Sequence, residues 1–213
     1  MTLLQTILHI DQYLLLLVSD YGIWIYLLLF LIVFCETGLI VAPFLPGDSL
    51  LFAAGSIAAN NNDRFNIQVL FLSLFVASIL GNKINYIVGK YIGPRVFVMP
   101  SSWLLNKKHL ETAHLFYKNH GGKTIIFARF IPILRTFAPF VAGAASMPIR
   151  QFTLFNIVSA LLWVGSLLSF GYFLGSMPFI KQNFSLVIYG IISISLLPPI
   201  CAIVVSKIKH FRN

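Results

Sequence analysis

Long apolar runs alternate with short polar segments along this chain. Residues 67–88, 152–174 and 184–205 each approach or pass the roughly 20 apolar residues that a helix needs to span a bilayer. Residues 21–35 are almost as apolar, and with their flanks they predict a further span. The first 20 residues behave differently. Leu3, Leu4, Ile7, Leu8, Leu14 and Leu15 recur at helical spacing, but His9, Asp11 and Gln12 interrupt the apolar surface. That pattern suits a helix lying in the interface.

Two apolar runs are broken in the middle. Residues 37–59 contain Pro43, Pro46 and Gly47, and residues 124–147 contain Pro132 and Pro139. Proline removes a backbone donor and breaks a helix. Backbone groups freed at membrane depth are tolerated only inside protein or along a cavity. Both runs therefore predict re-entrant hairpins. Residues 95–123 form the longest polar stretch, in which Leu110, Ala113, Phe116 and Tyr117 recur at helical spacing among charges. They predict an amphipathic surface helix ending at Gly121-Gly122.

Composition supports a bilayer setting. Of 213 residues, 58% are hydrophobic and only 10% charged, against about a quarter charged in soluble domains. The net charge of +9 does not indicate nucleic acid, because the basic residues flank the apolar runs as topology signals do. Cys35 and Cys201 lie within apolar runs and read as packing residues. His109, His114 and His120 lack a metal-ligand spacing, so no metal or cofactor is expected.

Basic residues fix an orientation. Arg95, Lys107, Lys108, Lys118 and Lys123 place segment 95–123 in the cytoplasm, and Lys207, Lys209 and Arg212 place the C-terminus there. Counting back through the spans puts the N-terminus in the cytoplasm too. The 124–147 hairpin then enters from inside and the 37–59 hairpin from outside.

The two broken runs resemble each other. Phe44-Leu45-Pro46-Gly47-Asp48 precedes Ala54-Gly55-Ser56, and Phe130-Ile131-Pro132-Ile133-Leu134-Arg135 precedes Ala142-Gly143-Ala144. The following spans end on Gly89-Lys90-Tyr91-Ile92-Gly93 and Gly171-Tyr172-Phe173-Leu174-Gly175. The expected fold is an all-α integral membrane domain over residues 1–213. It combines an inverted repeat of two re-entrant hairpins with about four spanning helices and interfacial helices. Interrupted segments at matching places in inverted repeats point to a transport site near the midplane.

The chemistry sits in those segments. Glu36 and Asp48 are the only acids within apolar runs, and Arg129 and Arg135 are the bases that answer them. A charge at a membrane helix centre costs about 2.5–3.5 kcal/mol on insertion scales. Six residues apart on an unbroken helix, the arginines would point to different faces. A break at Pro132 could bring both to one site. Guanidiniums suit phosphate or carboxylate, so one reading is an anionic headgroup site. The other is a lock in which the arginines only neutralise Glu36 and Asp48. Asp48 could also be a helix N-cap. Thr37 and Ser49 read as helix-turn hydrogen bonders, Lys83 as a residue reaching the interface, and Trp24 and Trp163 as packing or belt residues. Hydrolase chemistry usually needs a positioned histidine or metal. No histidine lies in any span or broken run after residue 20, so an enzyme is not expected.

At these residues the chain resembles the DedA family of inner-membrane proteins, whose VTT-type hairpin domain is shared with eukaryotic scramblase-like proteins. The resemblance covers nearly the whole chain. It rests on Phe34-Cys35-Glu36-Thr37-Gly38, on Pro43 through Leu50, on Gly81-Asn82 with Tyr86 and Gly89, and on His120 through Thr124. Ala128-Arg129-Phe130 with Pro132, Arg135 and Ala142-Gly143 carries it most strongly. The resemblance implies a functional acid pair and arginine pair, here Glu36, Asp48, Arg129 and Arg135. It also implies movement of a membrane lipid, undecaprenyl phosphate or phospholipid, with dependence on the proton motive force. Relatives often carry Asp where this chain has Asn82, which puts a relay through that acid in doubt. Proton-coupled export of small cations or drugs, and a structural or assembly role, are the alternatives.

Overall fold

The computed structural model describes residues 23–39, 47–60, 65–96 and 121–177. Six α-helices occupy them: α1 (Trp24–Gly38), α2 (Gly47–Asn60), α3 (Ile67–Val96), α4 (Lys123–Ala128), α5 (Pro132–Ala144) and α6 (Ile149–Gly175). The expected interfacial helix at 1–20, residues 97–120 of the polar segment, the span at 184–205, and Pro43 and Pro46 lie outside the described residues.

Among the described residues, two helices are long and apolar enough to cross a membrane, Ile67–Ile92 and Ile149–Gly175. Their outward faces are apolar. On α3, Val69, Leu72, Val76, Leu80, Ile84 and Ile87 are exposed at helical spacing, and on α6, Leu154, Ile157, Leu161 and Phe173 are exposed likewise. Water would penalise such stripes, whereas hydrocarbon is an equal solvent for them. The buried faces carry the polar residues instead: Ser78, Asn82 and Asn85 on α3, and Asn156 and Ser159 on α6.

The chain divides into two compact units. Unit 1 takes its described residues from 23–32, 47–60, 65–74 and 164–177, and unit 2 from 33–39, 75–96 and 121–163. In unit 1, α2 crosses the end of α6 backbone against backbone. A Cβ on Gly55 would collide with the Leu168 carbonyl, and one on Gly171 would lie 2.9 Å from the Phe52 carbonyl carbon. In unit 2, α5 crosses α3 in the same way. A Cβ on Gly143 would lie 2.8 Å from the Lys90 nitrogen, and one on Gly89 would lie 2.7 Å from the Phe140 carbonyl carbon. Gly55 matches Gly143, Gly171 matches Gly89, and their contacts match residue for residue. The sequence pattern pairs Asp48 with Arg135 across the two halves, and this shared register shifts that correspondence. Asp48 aligns with Thr136, each seven residues before its crossing glycine, so Arg135 aligns with Gly47.

The crossings also explain why α3 outruns its expected end. Residues 89–94 were expected to close the span, yet the helix continues to Val96. Gly89 admits the neighbouring backbone rather than stopping the helix.

The second broken run is helix, turn, helix. Phe130 and Ile131 donate to the Phe127 and Ala128 carbonyls at 3.2 and 3.1 Å. Ile131 is extended and α5 opens on Pro132, where the missing N–H is no loss. The break therefore falls at residues 129–131. Pro139 does not add a second break, because α5 runs through it to Ala144. A proline without an N–H leaves the rest of the helix intact when packing holds it, and Ala138, Phe140 and Ala142 around it are buried. α5 ends in a Schellman turn. Ser146 takes a left-handed φ of 56°, and Met147 donates to the Ala142 carbonyl at 3.0 Å. The Tyr86 hydroxyl donates to the Met147 carbonyl, and the Tyr86 ring stacks on Phe152 at 4.3 Å.

Candidate functional site

The turn at 129–131 gathers charge. Arg129 caps α4 and Arg135 sits in the first turn of α5. Their guanidinium carbons lie 5.1 and 5.0 Å from the centroid of one ring, that of Trp163 on α6. The break thus does what an unbroken helix could not, bringing both cations to one place. Trp163 is buried, so it packs as expected, but it packs as an electrostatic platform. Cation–π contacts strengthen when water is excluded.

Arg135 meets a carboxylate. Its Nη2 pairs with Glu36 Oε1, and both residues are buried, at 4% and 0% side-chain exposure. Glu36 lies in the last turn of α1, which extends through Thr37 to Gly38. The helix thus delivers the acid at its C-terminal end. That end carries the negative pole of the helix dipole, which favours a guanidinium beside it.

Arg129 meets hydroxyl and amide oxygens. It donates to Asn156 Oδ1 at 3.3 Å, to Ser159 Oγ at 3.1 Å and to Ser78 Oγ. The Asn156 amide in turn donates to the Ile79 carbonyl at 3.1 Å. Its oxygen accepts from Asn82 Nδ2 at 2.9 Å. A network anchored on α3 and α6 therefore surrounds this guanidinium.

Asp48 belongs to unit 1. It is half-buried and is the second residue of α2. Its carboxylate lies in the first turn, at the positive end of the helix dipole. Thr37 bonds back to the Val33 and Phe34 carbonyls at 2.8 and 3.3 Å, as expected. Ser49 differs, since its buried hydroxyl has no hydrogen-bond partner among the described residues. Lys83 is exposed, in keeping with a residue that reaches for the interface.

Sequence reasoning missed Ser78, Asn156 and Ser159, gave Asn85 no role, and gave Trp163 only packing. A signal existed. Ser78, Asn82 and Asn85 fall on one face of α3, and Asn156, Ser159 and Trp163 on one face of α6. A polar stripe at helical period within an apolar span marks a surface turned toward protein.

Two long apolar helices with lipid-compatible faces, and a buried arginine–carboxylate pair between helix ends, define a helical integral membrane protein. The VTT domain family matches residues 45–173. "Protein DedA" of Escherichia coli strain K12 is 48% identical over 96% of this chain and 94% of its own length. "Uncharacterized membrane protein Rv0364" of Mycobacterium tuberculosis strain H37Rv is 42% identical over 79% of this chain and 74% of its own. "Inner membrane protein YghB" of Escherichia coli strain K12 is 37% identical over 75% and 72%. The chain belongs to the DedA family of VTT-domain membrane proteins. No solved structure matches it.

Proposed function

We propose that this protein moves an anionic lipid, a polyprenyl phosphate or a phospholipid, across the bacterial inner membrane. The observation that carries the reading is the placing of two guanidiniums on one buried indole, with one of them held by Glu36. Arginine forks match phosphate oxygens. In the resting arrangement Glu36 occupies the place at Arg135 that a phosphate would take. Protonating Glu36 removes its charge and weakens its hold, and the headgroup then replaces it. Deprotonation restores the internal pair and expels the headgroup. Asp48 is the second proposed acid, and the two broken runs are the proposed re-entrant hairpins. The side chains of Ser78, Asn82, Asn156 and Ser159 supply polar company while the lipid tail stays in hydrocarbon. A relative's name, "Inner membrane protein YghB", supports the location.

The test is translocation of a phosphate lipid in proteoliposomes, with and without a pH gradient. Translocation should follow the gradient and should fail in Arg129→Gln and Arg135→Gln, while in Glu36→Gln it should slow and no longer follow the gradient. If Asp48→Asn and Arg135→Lys both translocate at the full rate, the mechanism is wrong.

Complete burial of the Glu36–Arg135 pair also favours a second reading, in which the pair only locks helices together. Replacing one partner of a buried pair is strongly destabilising, yet an apolar pair often serves as well. The swap Glu36→Arg with Arg135→Glu separates the readings. A lock recovers activity in the swapped chain, and a headgroup site does not.

A further inference from the structure

Asn85 lies on the buried face of α3, fully enclosed. Its side-chain amide nitrogen donates to two backbone carbonyls, that of Thr37 at 3.3 Å and that of Thr136 at 2.7 Å. Thr37 follows Glu36, and Thr136 follows Arg135. One amide therefore ties together the two backbone points that carry the two halves of the ion pair.

The local chemistry favours this arrangement. Thr37 is in the last turn of α1, where helix carbonyls lack intrahelical donors. The amide orientation is also determined by its surroundings. Two carbonyls on one side accept only from the NH2 group, so the oxygen must face away. That oxygen is buried and has no partner among the described residues. A buried acceptor left unmatched carries a desolvation cost, which a residue chosen only for packing would avoid.

We infer that Asn85 is a positioning residue, a strap that sets the spacing at which Glu36 and Arg135 meet. This inference rests on the proposed function only for its purpose. The strap itself concerns an ion pair that exists without lipid, so its test needs none. Holding α1 and α5 at fixed separation keeps the carboxylate and the guanidinium in register. Without the strap each helix end can drift, and the pair loosens even though both charges remain.

The experiment measures Glu36–Arg135 coupling by thermal unfolding of the full chain in detergent. The cycle uses Glu36→Gln, Arg135→Gln and the double variant, in the wild type and again in Asn85→Leu. Coupling in the Asn85→Leu background should fall to half or less. Asn85→Ser retains one donor, and its coupling should lie between the two. A merely structural residue would lower stability and leave the coupling equal, and that result in either background overturns the strap. If Asn85→Leu does not fold, the Asn85→Ser cycle alone decides.

Translocation supplies the second readout. The rate in Asn85→Leu should fall about tenfold, as expected for the loss of one to two hydrogen bonds that hold a site in register. Asn85→Leu should add little to Glu36→Gln, because the pair it positions is already gone. Full additivity of the two in the rate would overturn the inference. A wild-type chain that moves no phosphate lipid would defeat the proposed function and leave the coupling result standing.

Discussion

Arg129 and Arg135 share one indole ring but differ in what solvates them. Arg135 meets a carboxylate at the end of α1. Arg129 meets two hydroxyls and an amide oxygen presented by α3 and α6. A carboxylate cancels a guanidinium's charge. Hydroxyls and an amide oxygen solvate it through hydrogen bonds. Two cations six residues apart in sequence are thus prepared for different work. One is paired with a carboxylate, and the other is held by hydroxyl and amide oxygens.

The largest effect should come from breaking the charged side of this contrast. Glu36→Gln should destabilise the chain by about 3–5 kcal/mol, the usual result when a buried pair loses one member. Thermal unfolding in detergent checks this. An unchanged melting temperature would show that the Arg135 charge is not supported by Glu36. The same change should abolish the response of translocation to a pH gradient, since the group that exchanges the proton is gone.

How much of this contrast the sequence displayed depends on what each part requires. The spans were legible because lipid demands long apolar runs, and α3 and α6 fall on two of them. The break at 129–131 was legible because Pro132 cannot continue a helix entered from its N-terminal side. Pro139 misled, because burial of its neighbours lets the helix pass through it. The repeated glycines were visible as a pattern, but their reason was not. Gly89 reads as a helix end until the Phe140 backbone is seen against it. Opposite charges in apolar runs announced an ion pair, yet two acids were on offer. Glu36 lies 99 residues from Arg135, and no local pattern fixes a contact at that separation. The shell of Arg129 was the least visible. Serine and asparagine scattered in an apolar helix look like ordinary small polar residues until their common face is counted.

Removing the shared platform should act on both arginines at once. Trp163→Leu deletes two cation–π contacts, each worth up to about 2 kcal/mol when desolvated. The expected loss is about 2–3 kcal/mol, smaller than that of Glu36→Gln. Trp163→Phe keeps a ring with a weaker quadrupole and should fall between. If Trp163→Leu weakened Glu36–Arg135 coupling and spared every effect of Arg129 substitution, the two sites would not share the ring in the way the geometry indicates.

Arg129→Lys sharpens the side held by hydroxyls and an amide. Lysine keeps the charge and loses the fork, so it cannot reach Ser78, Ser159 and Asn156 together. A stability loss of about 1–2 kcal/mol is expected from the missing hydrogen bonds. Translocation of phosphate lipid should drop further than stability, since a point charge cannot grip two oxygens side by side. Equal rates for Arg129→Lys and the wild type would remove geometric recognition from this position and leave only its charge.

The smallest effect should come from Ser159→Ala, and it is the most selective. Ser159 Oγ accepts from Arg129 at 3.1 Å and donates to the Asn156 carbonyl at 2.9 Å. Alanine removes both bonds and leaves the helix backbone as it is. A loss of about 1 kcal/mol is expected, the net worth of a typical hydrogen bond. The loss should disappear in an Arg129→Gln background if Arg129 is what Ser159 serves, and it should persist unchanged in Glu36→Gln. The reverse outcome would mean that the polar shell supports the ion pair instead. The two arginines would then form one electrostatic unit, and the division between a carboxylate partner and a shell of hydroxyl and amide oxygens would fail.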